Sequence, residues 1–243
     1  MIHMNGGILP IFLSMAESSK AHAFGRGRSL QLEQVFHCIV NLVFALGCRF
    51  RSMSAGPQRL GPDNTHEKFA HRATRLLGLE LMDYGSIQLV QALILTAQYL
   101  QTLSLSNKCW VVVGMAIRVA QGIALHLDVA GESQAQREER RRTWHPCELL
   151  NRTNLHCHGA LSMTFGRRLM LELKSSAPLP EMVDDEFLAT AADAEDGSQP
   201  PRVPAKCAFF TSIIKLSHIT AEVLRFVLIS ALVVLGRPRP GAG

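Results

Sequence analysis

The chain has 243 residues, of which 47% are hydrophobic and only 6% aromatic. Those values exclude wholesale disorder, leave room for one large domain or two small ones, and favour helices packed on helices over a sandwich. A formal charge of +5 with pI about 9.1 is compatible with an anionic partner without requiring one.

Six cysteines stand at 38, 48, 109, 147, 157 and 207. None forms a C-x-x-C pair and most sit in apolar segments, which reads as buried free thiols in a reducing compartment rather than a disulfide framework. No basic residue precedes "ILPIFLSMA", so no signal peptide is expected. The glycosylation-type triplet Asn151-Arg152-Thr153 then has no consequence. "FVLISALVVLG" near the other end is shorter than the ~20 apolar residues a bilayer span needs, so no membrane partner is expected.

In chain order, residues 1–28 are rich in Gly, Ser and His and read as weakly ordered. "LQLEQVFHCIVNLVFALGCRF" predicts a helix from Leu30 that ends near Gly47, and "SMSAGPQRLGPDNT" after it predicts a loop. Thr65 should cap a helix with an apolar stripe of Phe69, Ala73, Leu76 and Leu77, stopping around Gly78. Ser86 should cap the next, where Ile87, Val90, Ile94, Ala97 and Leu100 recur at helical spacing. A third, after Ser106, sets Trp110, Val113, Ile117, Ala120 and Ile123 on one face. Gly114 and Gly122 lower its propensity and suggest close helix–helix approach.

A fourth helix should begin at Ser133, with Gln136 completing a capping box, and run through "REERRR" (137–142) to Trp144. A solvated face is the plain reading of that run, against a nucleic-acid patch. Pro146 should then break the helix, because proline removes one hydrogen bond and clashes with the preceding turn. A long connection follows over 175–204, then one or two helices from Cys207 to about 235, then a disordered tail, 236–243. With no βαβ alternation and no G-x-G-x-x-G, P-loop, G-x-S-x-G or H-E-x-x-H motif, the fold class is all-α.

"HPCELLNRTNLHCHGALS" (145–162) offers His145, Cys147, His156, Cys157 and His158 as soft-metal ligands. Successive side chains on a helix point about 100° apart, so His156, Cys157 and His158 cannot all face one ion, and paired C-x2–4-C spacing is missing. Cys147 beside His145 or His158 imitates a nucleophile–base pair, but no oxyanion loop or orienting acid accompanies it. Neither a metal site nor an enzyme is expected.

Several segments occur together in a telling order: "FALGCRF" (44–50), residues 85–128, "RRRTWH" (140–145), "LSMTFGR" (161–167), "PLPEMVDDEFL" (178–188) and "FFTSIIKLSHI" (209–219). The most specific is W-x3-G-x-A-x-R-x-A-x4-L-H, from Trp110 to His126. These resemble the fungal-specific transcription factor domain, the regulatory middle homology region of fungal zinc-cluster transcription factors of the xylanolytic-activator type, over residues 36 to 225. The resemblance implies a multi-helix regulatory domain (29–235) between disordered tails, acting in the nucleus and not as an enzyme. It implies protein coregulators or self-association, a small-molecule effector, and DNA contact only through a separate N-terminal module with two zinc ions on six cysteines. That C-x2-C-x6-C spacing is missing here, so no cofactor is expected in this chain. A truncated stand-alone paralogue acting only through protein partners is the alternative.

The resemblance marks Trp110, Gly114, Arg118, His126, Arg141, Arg142, Trp144, Gly166 and Arg167 as motif positions with structural or regulatory roles. Arg118 lies on a mostly apolar helix, where an interhelical ion pair with Glu138 or Glu139 is the plain reading and effector binding the alternative. The arginines at 140–142 should stack on Trp144 or pair with acids as a structural lock. Three departures from the family pattern stand out: Asn151 replaces the usual Asp, "TNLHCHGA" (153–160) reads as an insertion, and Arg168 replaces proline after Gly166-Arg167.

Overall fold

The computed structural model describes residues 29–55, 64–78, 85–157 and 176–235. Among these, six α-helices and no strand occur: α1 (Ser29–Ala55), α2 (Thr65–Leu76), α3 (Ile87–Thr102), α4 (Ser106–Gly122), α5 (Gln134–Cys157) and α6 (Ala208–Leu235). The all-α expectation is met. Gly166 and Arg167, His158 and the segment 161–167 lie outside the described residues, as do 1–28 and 236–243.

Helix α3 is the centre: it is buried on nearly every side, its glutamines Gln88 and Gln91 included. Leu89, Val90, Ala92, Leu93, Ile94, Leu95 and Ala97 are all buried, the pattern of a helix surrounded by others. It packs against α1, α4 and α5, while α2 lies along α1 and α6 along α5. Helix α1 is long and apolar enough to cross a bilayer by composition. Its Val35, Cys38, Ile39, Leu42, Ala45 and Leu46 are core residues here, while Phe44 and Met53 on the same helix are exposed.

Polar ties fix the helix ends. Arg49 of α1 donates to the Thr102 carbonyl at 2.7 Å, and Gln34 to that of Leu76 at 2.8 Å, each satisfying a carbonyl that its own helix leaves orphaned. Ser86 accepts from the Leu89 amide, as expected. The Ser133–Gln136 capping box also forms: the Ser133 amide donates to Gln136 Oε1 at 3.0 Å and the Gln136 amide to Ser133 Oγ at 3.4 Å. Thr65 is instead the first helical residue, with Asn64 before it.

Two breakers are overridden. Helix α1 continues past Gly47 to Ala55, since a mid-helix glycine costs only about 1 kcal/mol, less than burying one large apolar side chain returns. Helix α5 runs through Pro146 to Cys157. The proline deprives the Arg142 carbonyl of its helical donor, but Trp144, His145, Cys147 and Leu150 around it are all buried, and that packing holds the helix together. Two positions on α4 also differ from expectation. Trp110 remains 37% exposed instead of joining the inner face, and a Cβ on Gly122 would meet nothing within 4 Å, so no neighbour approaches there.

Helices α3 and α4 both end in Schellman turns. At the end of α4 the Leu125 amide donates to the Ala120 carbonyl and the Ala124 amide to that of Gln121, with Ala124 at φ 56°. This left-handed position usually holds glycine. The buried Leu125 then pins the turn, and the chain leaves it toward His126.

Candidate functional site

The face of α5 that carries "REERRR" is not a solvated surface. Each of its arginines is largely buried and meets a carboxylate. Arg137 grips both oxygens of Asp196, at 2.7 and 2.6 Å. Arg140 lies 3.5 Å from Glu132 and donates to the Ala124 carbonyl at 2.7 Å. Arg141 donates to Glu138 and to Glu181, both at 3.0 Å, with Asp128 at 3.5 Å. Arg142 donates to Glu138 at 3.2 Å and to the Val183 carbonyl at 2.6 Å, and also bonds Asp185. Charges neutralised in this way are not presented to a polyanion; the lock reading of the arginines fits, with acids rather than Trp144 as partners.

Glu138 is the hub. It is 0% exposed and accepts from Arg141, Arg142 and the Glu181 amide at 3.0, 3.2 and 3.1 Å. A buried carboxylate is tolerable only when its charge is compensated in this way. Gln134 works one turn earlier. Its amide donates to Glu181 and to the Gly197 carbonyl, while its oxygen accepts from the Ala189 and Gly197 amides, all within 2.9 Å. A Cβ on Gly197 would sit 1.8 Å from the Phe187 carbonyl oxygen, so only glycine fits that approach. Together these groups hold residues 176–207, which have no regular element but a single 3-10 turn at Asp185–Phe187, flat against α5.

The motif residues gather partly around this latch. Trp144 is wholly buried, and His126 packs on its ring with centroids 5.6 Å apart. The His126 carbonyl accepts from the Ser176 amide at 3.2 Å, at the near end of the latched connection. Arg118 is exposed on α4, and Glu138, one of its expected partners, is committed to Arg141 and Arg142. Gly114 lies half-buried on the same helix. The shallow cleft beside the latch is lined by Leu125, Asp128, Glu132, Arg140, Arg141 and Pro178, among others. Its roughly 200 Å3, open solvent included, falls below the ~300 Å3 at which enclosed ligand pockets begin.

The His/Cys stretch divides. His145 Nδ1 lies 3.1 Å from Glu148 Oε2, and its Nε2 lies 2.9 Å from the Pro178 carbonyl. His218 of α6 brings Nε2 to 3.8 Å from the same Glu148 oxygen. Cys147 is fully buried, and burial followed by the charge of Glu148 pushes its thiol far up. A thiol held protonated is a poor nucleophile. Burial likewise pushes Cys38 up to about 12. His156 and Cys157 belong to the last turn of α5.

Sequence reasoning missed Gln134, Glu181, Gly197, Glu148 and His218. The one local signal was the His-x-x-Glu spacing of residues 145 and 148, which puts both side chains on one helix face.

Helix α6 presents a second surface. Phe210, Thr211, Ile214 and Ser217 are its inner residues. Phe209, Leu216, Ile219, Val223 and Phe226 face outward, 45 to 72% exposed. The steps 216, 219, 223 and 226 are the three–four alternation of a coiled-coil seam.

Residues 21–231 match the profile of the Fungal specific transcription factor domain. Sorbicillinoid biosynthetic cluster transcription factor 2 of Penicillium rubens is 31% identical over 145 residues, 58% of this chain and 20% of that protein. Sorbicillinoid biosynthetic cluster transcription factor sor3 of Hypocrea jecorina is 30% identical over 54% of this chain and 20% of its own length. The Lactose regulatory protein LAC9 of Kluyveromyces lactis is 24% identical over 60% and 15%. The chain thus spans about a fifth or less of the relatives it matches. No solved structure gives a significant match. The helical architecture and the extent of the match agree: the chain belongs to the fungal specific transcription factor domain family.

Proposed function

We propose that this domain modulates transcription in the nucleus by docking an apolar helix of a coregulator protein on the outer face of α6. The observation that carries it is the uncovered stripe of Phe209, Leu216, Ile219, Val223 and Phe226. Large apolar side chains in a contiguous row on a soluble domain mark an interaction surface, and their three–four spacing fits a helical partner in a coiled-coil groove. The relatives' identity as transcription factors supplies the context. DNA recognition in such a factor belongs to its separate zinc-cluster module, not to this helical region.

The test is a reporter assay in fungal nuclei with the domain fused to an unrelated DNA-binding module. Asp at 216, 219 and 223 leaves the inner face of α6 intact, so helicity and melting should match the parent. Reporter output should change severalfold. Unchanged output from a folded triple variant would overturn the reading.

A further inference from the structure

We infer that His145, Glu148 and His218 form a binding site for a divalent cation of the zinc class, which fastens α6 to α5. Three observations converge. Ligand atoms of the three residues lie within 4.8 Å of one another. Glu148 Oε2 is 3.1 Å from His145 Nδ1 and 3.8 Å from His218 Nε2, bracketing the ~3.3 Å between neighbouring ligands of a tetrahedral ion with bonds near 2.0 Å. Two of the three, His145 and Glu148, are buried.

The hydrogen bonds settle which nitrogen is available. A carbonyl only accepts, so the 2.9 Å contact to Pro178 places a proton on His145 Nε2. Nδ1 is then the nitrogen that faces the carboxylate, 3.1 Å from Glu148 Oε2. Two lone pairs at 3.1 Å repel unless a positive charge lies between them, which is either a proton or a metal ion. A proton on Nδ1 bridges that one pair. It leaves His218 Nε2, a buried atom with no hydrogen-bond partner among the described residues, 3.8 Å from the same oxygen, too far for a hydrogen bond. A metal ion uses all three groups, and the Pro178 carbonyl becomes the outer acceptor that orients a ligating imidazole.

The set is a His2Glu triad with a further position for water, as in open zinc sites. It draws one helix-spaced pair from α5 and one residue from α6, so it differs from the His156–His158 run that helix geometry disfavours. Arg152, also on α5, acts electrostatically on both Glu148 and His218. It opposes a second positive charge and so limits affinity.

The experiment uses the full, untagged chain stripped of metal and titrated with zinc sulfate at pH 7.5, read by calorimetry and by melting temperature. One equivalent should bind and raise the melting temperature. His218→Ala alters a partly exposed ring, leaves the apo fold intact, and should weaken binding at least about 100-fold, the upper end of what loss of a mere orienting partner costs. Arg152→Gln should tighten binding, an effect that a merely structural arginine would not produce. Zinc that binds equally well to His218→Ala, or a melting temperature that answers to pH but not to zinc, would overturn the site in favour of the proton bridge. These readouts do not depend on coregulator docking and stand or fall apart from it.

Discussion

Removing the Glu138 carboxylate tests whether the latch is a genuine buried network. Glu138→Ala deletes one acceptor from each of Arg141 and Arg142 and another from the Glu181 amide. Breaking a buried ion pair from one side costs about 3–5 kcal/mol. Both arginines keep other acids, Asp128 and Glu181 for the first and Asp185 for the second, and their side chains are 11 and 12% exposed. Rehydration and the surviving pairs should roughly halve the penalty, so about 1.5–2.5 kcal/mol is expected. Urea unfolding followed by circular dichroism, with the m-value checked for constancy, measures it. Asp196→Ala removes a pair whose acid is half exposed and serves as the comparison, with a loss of no more than about 1 kcal/mol. A Glu138→Ala loss as small as that of Asp196→Ala would refute the reasoning, because Glu138 would then behave as a surface charge.

Other outcomes follow from single contacts. Gly197→Ala forces a Cβ onto the Phe187 carbonyl and should cost about 1–3 kcal/mol in the same assay. Ala124→Gly, at φ 56°, relieves a left-handed alanine and should raise stability by about 1 kcal/mol, read as a higher urea midpoint. Cys38 and Cys147 have thiols pushed up by burial, so peptide mapping after brief alkylation at pH 8 should find both unmodified, while the half-buried Cys48 reacts.

How much of this was legible depended on the range of each interaction. The capping box at Ser133 and the cap at Ser86 were readable because donor and acceptor lie three residues apart. The helical stripe of Ile87, Val90, Ile94, Ala97 and Leu100 was readable, but the central position of α3, which also buries Gln88 and Gln91, depends on the helices around it. Gly47 and Pro146 misled for one reason: a breaker's local cost is fixed, whereas the packing that overrides it comes from other helices. The solvated-face reading of "REERRR" failed because Asp128, Glu181, Asp185 and Asp196 are remote in sequence, and nothing in the run itself announces them. Among the motif residues, Trp144 and His126 meet in one cluster, while Trp110 and Arg118 point outward. His145 was visible as a ligand type, but its set needed α6, and only the folded chain brings His218 to Glu148.

The latch also bears on the order in which the molecule assembles. Helices α3 and α4 meet across a short turn, so their contacts can form early at small entropic cost. The bonds that hold the connection to α5 close loops of 40 to 63 residues, and such closures come with a larger entropy loss and slower kinetics. Docking of 176–207 should therefore be a late event, largely unformed in the folding transition state. Substitutions at Glu138 or Gln134 would accordingly accelerate unfolding and leave the folding rate nearly unchanged. The latch thus governs how long the folded domain lasts more than how fast it is reached.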